Sequence, residues 1–240
     1  LKSTTGLTEL WNKIKMKALA VDSANRKIFI AAKNEDKTVT AVFDIAMKQS
    51  ENLLPAIDYV LKQTDLESKY LDYTVLCKGP GSFTGLRLGI SALKAIELAH
   101  DIPVYGISSL ETYAYPFRDL SKVIVPVIDA KRDRFYAAAY EGEKTILEAE
   151  DYEAKDLAES LKNFKNLLIC GPDYEAFIFV LKNLLPDFKG SINHIKGNIP
   201  STDSLFAIAE EMIEKKQAPL ADYEGPEYLR LSEAEKNLSE

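Results

Sequence analysis

The chain has 240 residues, 46% of them hydrophobic and 28% charged, with a net charge of −7, the proportions of an ordinary globular protein with ample core. An acidic chain does not grip nucleic acid unaided, because that affinity comes from neutralising phosphates, and the one dense basic cluster, Lys131-Arg132-Asp133-Arg134, reads as a solvated hairpin tip. No apolar run approaches the roughly 20 residues of a membrane span, no secretory signal is visible, and Cys77 and Cys170 each close an apolar run like buried hydrophobes, so the expected location is cytoplasmic.

Residues 1–15 precede the first Met. Leu7, Leu10, Trp11 and Ile14 recur there at helical spacing, in what is either a native extension or a remnant of the expression vector. From Met16 the pattern predicts strands over Lys17–Asp22, Lys27–Ala32 and Thr38–Asp44. An amphipathic helix follows, with Leu53, Leu54, Ile57, Val60 and Leu61 on one face. Ser50 is its expected N-cap, and Pro55 is placed near the first turn, where a missing N–H matters least.

A strand, Tyr73–Cys77, then runs into Lys78-Gly79-Pro80-Gly81-Ser82-Phe83-Thr84-Gly85-Leu86-Arg87-Leu88-Gly89 and a long apolar helix. Strand, glycine loop and helix gather backbone N–H groups at a positive helix end, which suits a phosphate. The spacing matches neither G-x-x-x-x-G-K-[ST] nor G-x-G-x-x-G. The competing reading is that Gly85 and Gly89 let the helix backbone approach a neighbour, with Ser82 as N-cap. The helix carries one narrow polar stripe, Arg87, Ser91, Lys94 and Glu97. Leu86, Leu88, Ile90, Leu93, Ile96 and Leu98 fill the rest, so it needs cover on more than one side. His100 reads as a partner of the helix dipole.

Strand Val104–Ile107 and a short helix capped by Ser108 or Ser109 complete the first half, and Tyr115-Pro116 marks a boundary. The pattern then repeats. Val125–Ala130 is again an apolar strand ending near an Asp, and a hairpin returns through Phe135–Tyr140. A constant offset along the chain lays Asp22 on Asp129, Lys27 on Arg134, Phe29 on Tyr136 and Ala31 on Ala138. Leu167–Pro172 echoes Val75–Pro80 and leads into a helix over Tyr174–Leu185. Two β-β-β-α-β-α halves indicate an internal duplication, each half a mixed sheet with packed helices. The expected subdomains are 16–115 and 116–231. Ser201–Lys216 is a further helix with Leu205, Ile208, Met212 and Ile213 inward. The aromatic stretch Tyr223–Arg230 is expected to pack back on the body, and 232–240 to fray.

Asp22 and Asp129 each close the first strand of a half, where two strand ends can face one cleft and hold a metal–phosphate. Equally, each Asp can cap its own hairpin turn. The hairpin segments Ser23-Ala24-Asn25-Arg26 and Ala130-Lys131-Arg132-Asp133 lack the glycines of a phosphate-gripping turn. Neither His100 nor His194 is followed by a second ligand at i+3 or i+4, and no H-E-x-x-H, C-x-x-C or G-x-S-x-G is present. The residues alone describe a duplicated α/β scaffold with its chemistry thinned out.

The loop Gly79–Gly89, followed by Ile102-Pro103-Val104-Tyr105-Gly106-Ile107-Ser108-Ser109-Leu110-Glu111, resembles the bacterial TsaB (YeaZ) family. Ala20-Val21-Asp22-Ser23, Leu53-Leu54-Pro55, Ile128-Asp129-Ala130-Lys131 and Glu227-Tyr228-Leu229-Arg230 carry the likeness over roughly Met16 to Arg230. The resemblance implies a duplicated actin-like, RNase H-like α/β fold. It also implies a role in making N6-threonylcarbamoyladenosine at position 37 of tRNAs that read ANN codons. In that family the catalytic paralogue TsaD carries the metal and the ATPase TsaE joins the assembly. TsaB is a non-catalytic partner, a homodimer when alone, and meets tRNA only through the complex. No cofactor or metal of its own is implied; ATP or ADP belongs to the complex. Pairing is expected through the first-half helices, at Leu53, Leu54, Ile57, Leu61, Gly85, Leu86, Gly89, Leu93 and Ile96. The rival is a nucleotide-binding phosphotransferase or ATPase using Asp22, Gly79, Gly81, Ser82, Thr84 and Asp129. Many relatives carry a His where this chain has Gln49, which removes one remnant of a ligand set.

Overall fold

The computed structural model describes residues 15–45, 48–195 and 201–230. The expected helix over Leu7–Ile14 and the tail 232–240 lie outside them.

Strands β1 (Ala18–Asp22), β2 (Lys27–Asn34) and β3 (Lys37–Asp44) form an antiparallel meander, and β4 (Tyr73–Gly79) and β5 (Val104–Ser108) join it in parallel on the other side of β1. The order is β3-β2-β1-β4-β5. Helices α1 (Gln49–Gln63) and α2 (Phe83–His100) supply the crossovers, and α3 (Ser109–Ala114) leads out of the half. The second half repeats this with β6 (Val123–Lys131), β7 (Arg134–Glu141), β8 (Lys144–Glu153), α4 (Ala154–Leu161), β9 (Asn166–Cys170), α5 (Tyr174–Leu184) and β10 (Ser191–His194), in the order β10-β9-β6-β7-β8. Each strand holds the place of its counterpart, which is the duplicated actin-like arrangement.

The repeat is broken beside Asp129. Asp22 pairs with Phe29, whereas Asp129 pairs with Phe135 rather than Tyr136. A register shift between Asp129 and Lys131 displaces the body of the second hairpin by one residue. The turn closes tightly through Lys131, Arg132 and Asp133, whose φ values of 63°, 58° and 56° are left-handed.

Helices α1 and α2 cover one face of the first sheet through Leu53, Ala56, Ile57, Val60, Leu61, Ile90 and Leu93. Helix α1 starts at Gln49, with Lys48 in the capping position and no side-chain cap, so Ser50 is not the N-cap. The cause is Gln49, a buried side chain whose Nε2 donates to the Asn25 carbonyl at 2.6 Å and pins the helix start to the β1–β2 turn. Pro55 therefore lies beyond the first turn, inside the helix, where it removes the N–H that would meet the Glu51 carbonyl. Helix α2 is capped by Ser82, whose Oγ accepts from Gly85 N–H at 3.3 Å. It ends at Asp101 in left-handed geometry with its N–H on the Glu97 carbonyl. His100, in the last turn, meets the Ser68 hydroxyl at 3.1 Å.

The opposite face of the first sheet is covered by α6 (Ser201–Glu214), through Leu205, Phe206, Ile208 and Ala209. This helix belongs by chain order to the second half yet packs on the first sheet, where Tyr73 Oη donates to Glu210 at 3.2 Å and Lys33 pairs with the same carboxylate. Helix α3 wedges against β6, with Leu110 beside Ile128 and Ala138. Residues 220–230 then run back over both halves. Leu220 N–H donates to the Val104 carbonyl and Glu227 N–H to the Lys78 carbonyl, each at 2.8 Å. Arg230 reaches the Ala130 carbonyl and the Asp151 carboxylate.

Leu53, Ile57, Leu61, Leu86 and Leu93 are thus core residues of this chain, not surface offered to a partner. Leu93→Ala is expected to lower unfolding free energy by about 2–5 kcal/mol in urea melts, the range for a truncated core Leu.

Candidate functional site

A cavity of about 630 Å³ lies between the halves, walled by the two equivalent hairpins, the glycine loop, α3 and the start of α6. Its size is that of a small-molecule site. Gly81, Ser82 and Asp129 line it, whereas Asp22, Gly79 and Thr84 do not.

Asp22 lies behind the wall, fully buried. Its carboxylate accepts from Ser201 Oγ at 2.6 Å, Tyr113 Oη at 3.0 Å and Ala24 N–H at 3.0 Å. Burial pushes its pKa up, against the opposing pull of those three donors. A carboxylate enclosed in this way ties β1 to α3 and α6 and has no side turned to a ligand. Asp129 caps its own turn: Lys131 N–H donates to it at 2.7 Å and Lys131 Nζ at 2.6 Å.

The glycine loop is filled by the chain itself. A Cβ at Gly81 would overlap the Ala24 carbonyl, and one at Gly85 the Ser23 carbonyl. Ser82 N–H donates to the Ala24 carbonyl at 2.6 Å, and Ser23 Oγ to the Gly85 carbonyl at 2.7 Å. Gly79, at φ 131°, has the Glu227 backbone where a side chain would stand. The Ser82 N–H is thus taken by the β1–β2 turn and the Gly85 N–H by the Ser82 side chain, and the space beside Gly79, Gly81 and Gly85 is filled by residue 227 and that turn. The nearby side chains close the surface: Phe83 stacks on Tyr228 at 4.7 Å, with Arg87 3.8 Å above the Phe83 ring and its Nε donating to Tyr228 Oη at 2.9 Å.

Sequence reasoning passed over Tyr113 and Ser201, which complete the Asp22 network, and Asp173, whose Oδ2 accepts from Asp129 N–H at 2.8 Å. Burial raises the Asp173 pKa. Its signal was the Gly171-Pro172-Asp173 step, where Gly171 repeats the positive φ of Gly79 at 94°. Among the described residues no three His, Cys, Asp or Glu side chains stand close enough to share a metal ion, and no helix is long and apolar enough to cross a membrane.

The remaining first-half positions point elsewhere. Leu54 is 63% exposed and Leu98 is 90% exposed. Thr84, Ser91, Ala95 and Ala99 are exposed on α2, with Leu88, Ala92 and Ile96 half-buried beside them. The result is a long outward stripe of small and apolar residues.

Residues 44–174 match the family model described as "TsaD: tRNA N6-adenosine threonylcarbamoyltransferase". The tRNA threonylcarbamoyladenosine biosynthesis protein TsaB of Bacillus subtilis is 33% identical over 92% of this chain and 96% of its own length. The Escherichia coli protein of that name is 30% identical over 58% of this chain and 62% of its own. The solved structure of YeaZ from Pseudomonas aeruginosa superposes with a TM-score of 0.73 at 20% identity, over 89% of this chain and all of that one.

Two outcomes are expected. Calorimetry with Mg-ATP should give no binding heat at micromolar nucleotide; micromolar binding lost in Asp22→Ala would establish the nucleotide reading instead. In urea melts from about pH 4 to 8, the native chain should be most stable relative to Asp22→Asn at the acid end. The folded chain keeps the Asp22 proton above the unfolded carboxylate range near 3.9, so stability falls as pH rises through that window. A gap that does not vary with pH would exclude a raised Asp22.

Proposed function

The chain belongs to the TsaB (YeaZ) family, and from that premise we propose that it serves in the synthesis of N6-threonylcarbamoyladenosine in tRNA, as a non-catalytic subunit. Its partner in this reading is the catalytic paralogue TsaD, with TsaE and tRNA meeting it through the complex at position 37 of ANN-reading tRNAs. The observation that carries the reading is the outward stripe of α2. A Leu that is 90% exposed on a helix otherwise seated in a core is surface to be covered by another molecule. Ser91, Ala95 and Ala99 leave room for a partner helix to approach to the 8–10 Å of ordinary helix packing.

Both hairpins, the glycine loop and Asp22 support the non-catalytic part. Each is engaged in holding the fold together. The pairing surface is narrower than spacing alone suggested: Leu54 and Leu98, with Leu88, Ala95 and Ile96, replace the buried Leu53, Ile57, Leu61, Leu86 and Leu93. The same stripe pairs two copies when the paralogue is absent.

Leu98→Asp is expected to weaken capture by TsaD roughly 10- to 30-fold, the loss of an interface anchor, while its melting temperature stays near that of the native chain because the site is exposed. Reconstituted tRNA modification with this variant should fall in proportion. Undiminished capture, or modification that proceeds equally well without this chain, would overturn the assignment.

A further inference from the structure

Two five-stranded sheets present four edges, and three of them are managed. The edge of β5 is met by residue 220, whose N–H bonds the Val104 carbonyl. Strand β10 is only four residues, with a polar start in Ser191. Strand β8 carries Glu148, Glu150, Asp151 and Glu153, and its ladder with β7 is interrupted by register shifts at Ala137–Tyr140. Covering, shortening, charging and bulging are the ordinary protections of a sheet edge.

Among the described residues nothing covers strand β3, it is neither short nor bulged, and its charges are confined to its two ends, Lys37 and Asp44. It pairs with β2 from Lys37 to Asp44 without a register shift. Between those two residues lie Thr38-Val39-Thr40-Ala41-Val42-Phe43, with no charge, Pro or Gly. Val39, Ala41 and Phe43 lean on the core under α1, while Thr38, Thr40 and Val42 are exposed, Val42 at 48%. The backbone groups on the free side of such a strand are a template for one more strand.

We infer that β3 is a self-association edge, on which the β3 of a second copy of this chain adds antiparallel and fuses the two first-half sheets. The strand is complementary to itself. Any antiparallel pairing brings the Lys37 end of one copy to the Asp44 end of the other; within the chain Lys37 pairs with Asp65 and Asp44 with Arg26 and Lys27, and the two side chains remain 51% and 46% exposed. Pairing about Ala41 sets Thr40 opposite Val42 and Val39 opposite Phe43, the β-branched and aromatic pairs that stabilise ladders. It also makes the half-buried row Val39, Ala41 and Phe43 continuous across the junction. An unrelated strand offers neither match. The edge is separate from the stripe on α2, which packs over β4 and β5 on the other side of β1.

Sedimentation velocity on the full chain carrying Leu98→Asp takes the helix stripe out of the measurement. The expected result is a dimer that grows with concentration, and Thr40→Lys with Val42→Lys in that background weakens it at least about tenfold, as edge lysines do. Circular dichroism melts check the fold; if the double variant is unfolded, Thr40→Lys alone gives the same reading. A Leu98→Asp chain that stays monomeric at every concentration overturns the inference, as does a dimer that survives the lysines. If Leu98→Asp leaves self-association unchanged and the lysines abolish it, the edge stands and the helix stripe fails as the site where copies pair.

Discussion

The seating of Ser23 and Ala24 on the glycine loop is the contact from which the rest of the first half follows. The Ser23 carbonyl lies against Gly85, the Ala24 carbonyl accepts from Ser82 N–H, and Ser23 Oγ donates to the Gly85 carbonyl. No side chain fits at Gly81 or Gly85 while that turn is in place. The same turn holds the start of α1 through Asn25 and Gln49. One backbone-to-backbone approach therefore fixes where both crossover helices begin and which faces they turn outward. It also occupies the helix end where an anion would otherwise sit, so scaffold and phosphate cradle are alternatives at this loop.

The second constraint is the buried Asp22. A carboxylate taken wholly out of water is tolerated only with its oxygens satisfied, and here the donors come from α3 and α6 as well as the local backbone. Helix α6 is thereby recruited to the first sheet although it follows the whole second half in the chain. Residues 220–230 extend the same crossing. They bond β5, then β4, and reach the second sheet at Ala130 and Asp151, where Arg230 and Arg134 hold the Asp151 pKa below its ordinary value against burial. The two halves are bound together by segments that exchange sides.

Much of this was legible in the sequence. The succession of strands and helices, the duplication, the Ser82 cap and the return of the aromatic tail follow from period, turn residues and repeated spacing. What escaped was set by contacts between distant residues. Ser50 satisfies every local rule for an N-cap, yet Gln49 draws the helix start two residues back by bonding Asn25. The offset that aligns Asp22 with Asp129 is a fact of sequence, and the bulge beside Asp129 shifts the pairing beneath it. Apolar residues on α1 and α2 were countable, but spacing cannot say which of two apolar faces meets the sheet. Leu93 and Leu98 look alike in the chain and lie at 0% and 90% exposure in the fold.

That last contrast bears on how such a scaffold can be read at all. In a chain whose candidate catalytic positions are engaged in structure, function moves to surfaces, and surfaces are judged by what the fold leaves uncovered. The apolar excess of α2 is mostly absorbed by the first sheet, so a narrow stripe remains, flat and small enough for a helix. Among the described residues the edge of β3 is left uncovered in a different way, through backbone groups rather than side chains, which is the chemistry of a strand rather than of a helix. The two features use different chemistry on separate parts of the same half, so the two proposed associations would not compete for one surface.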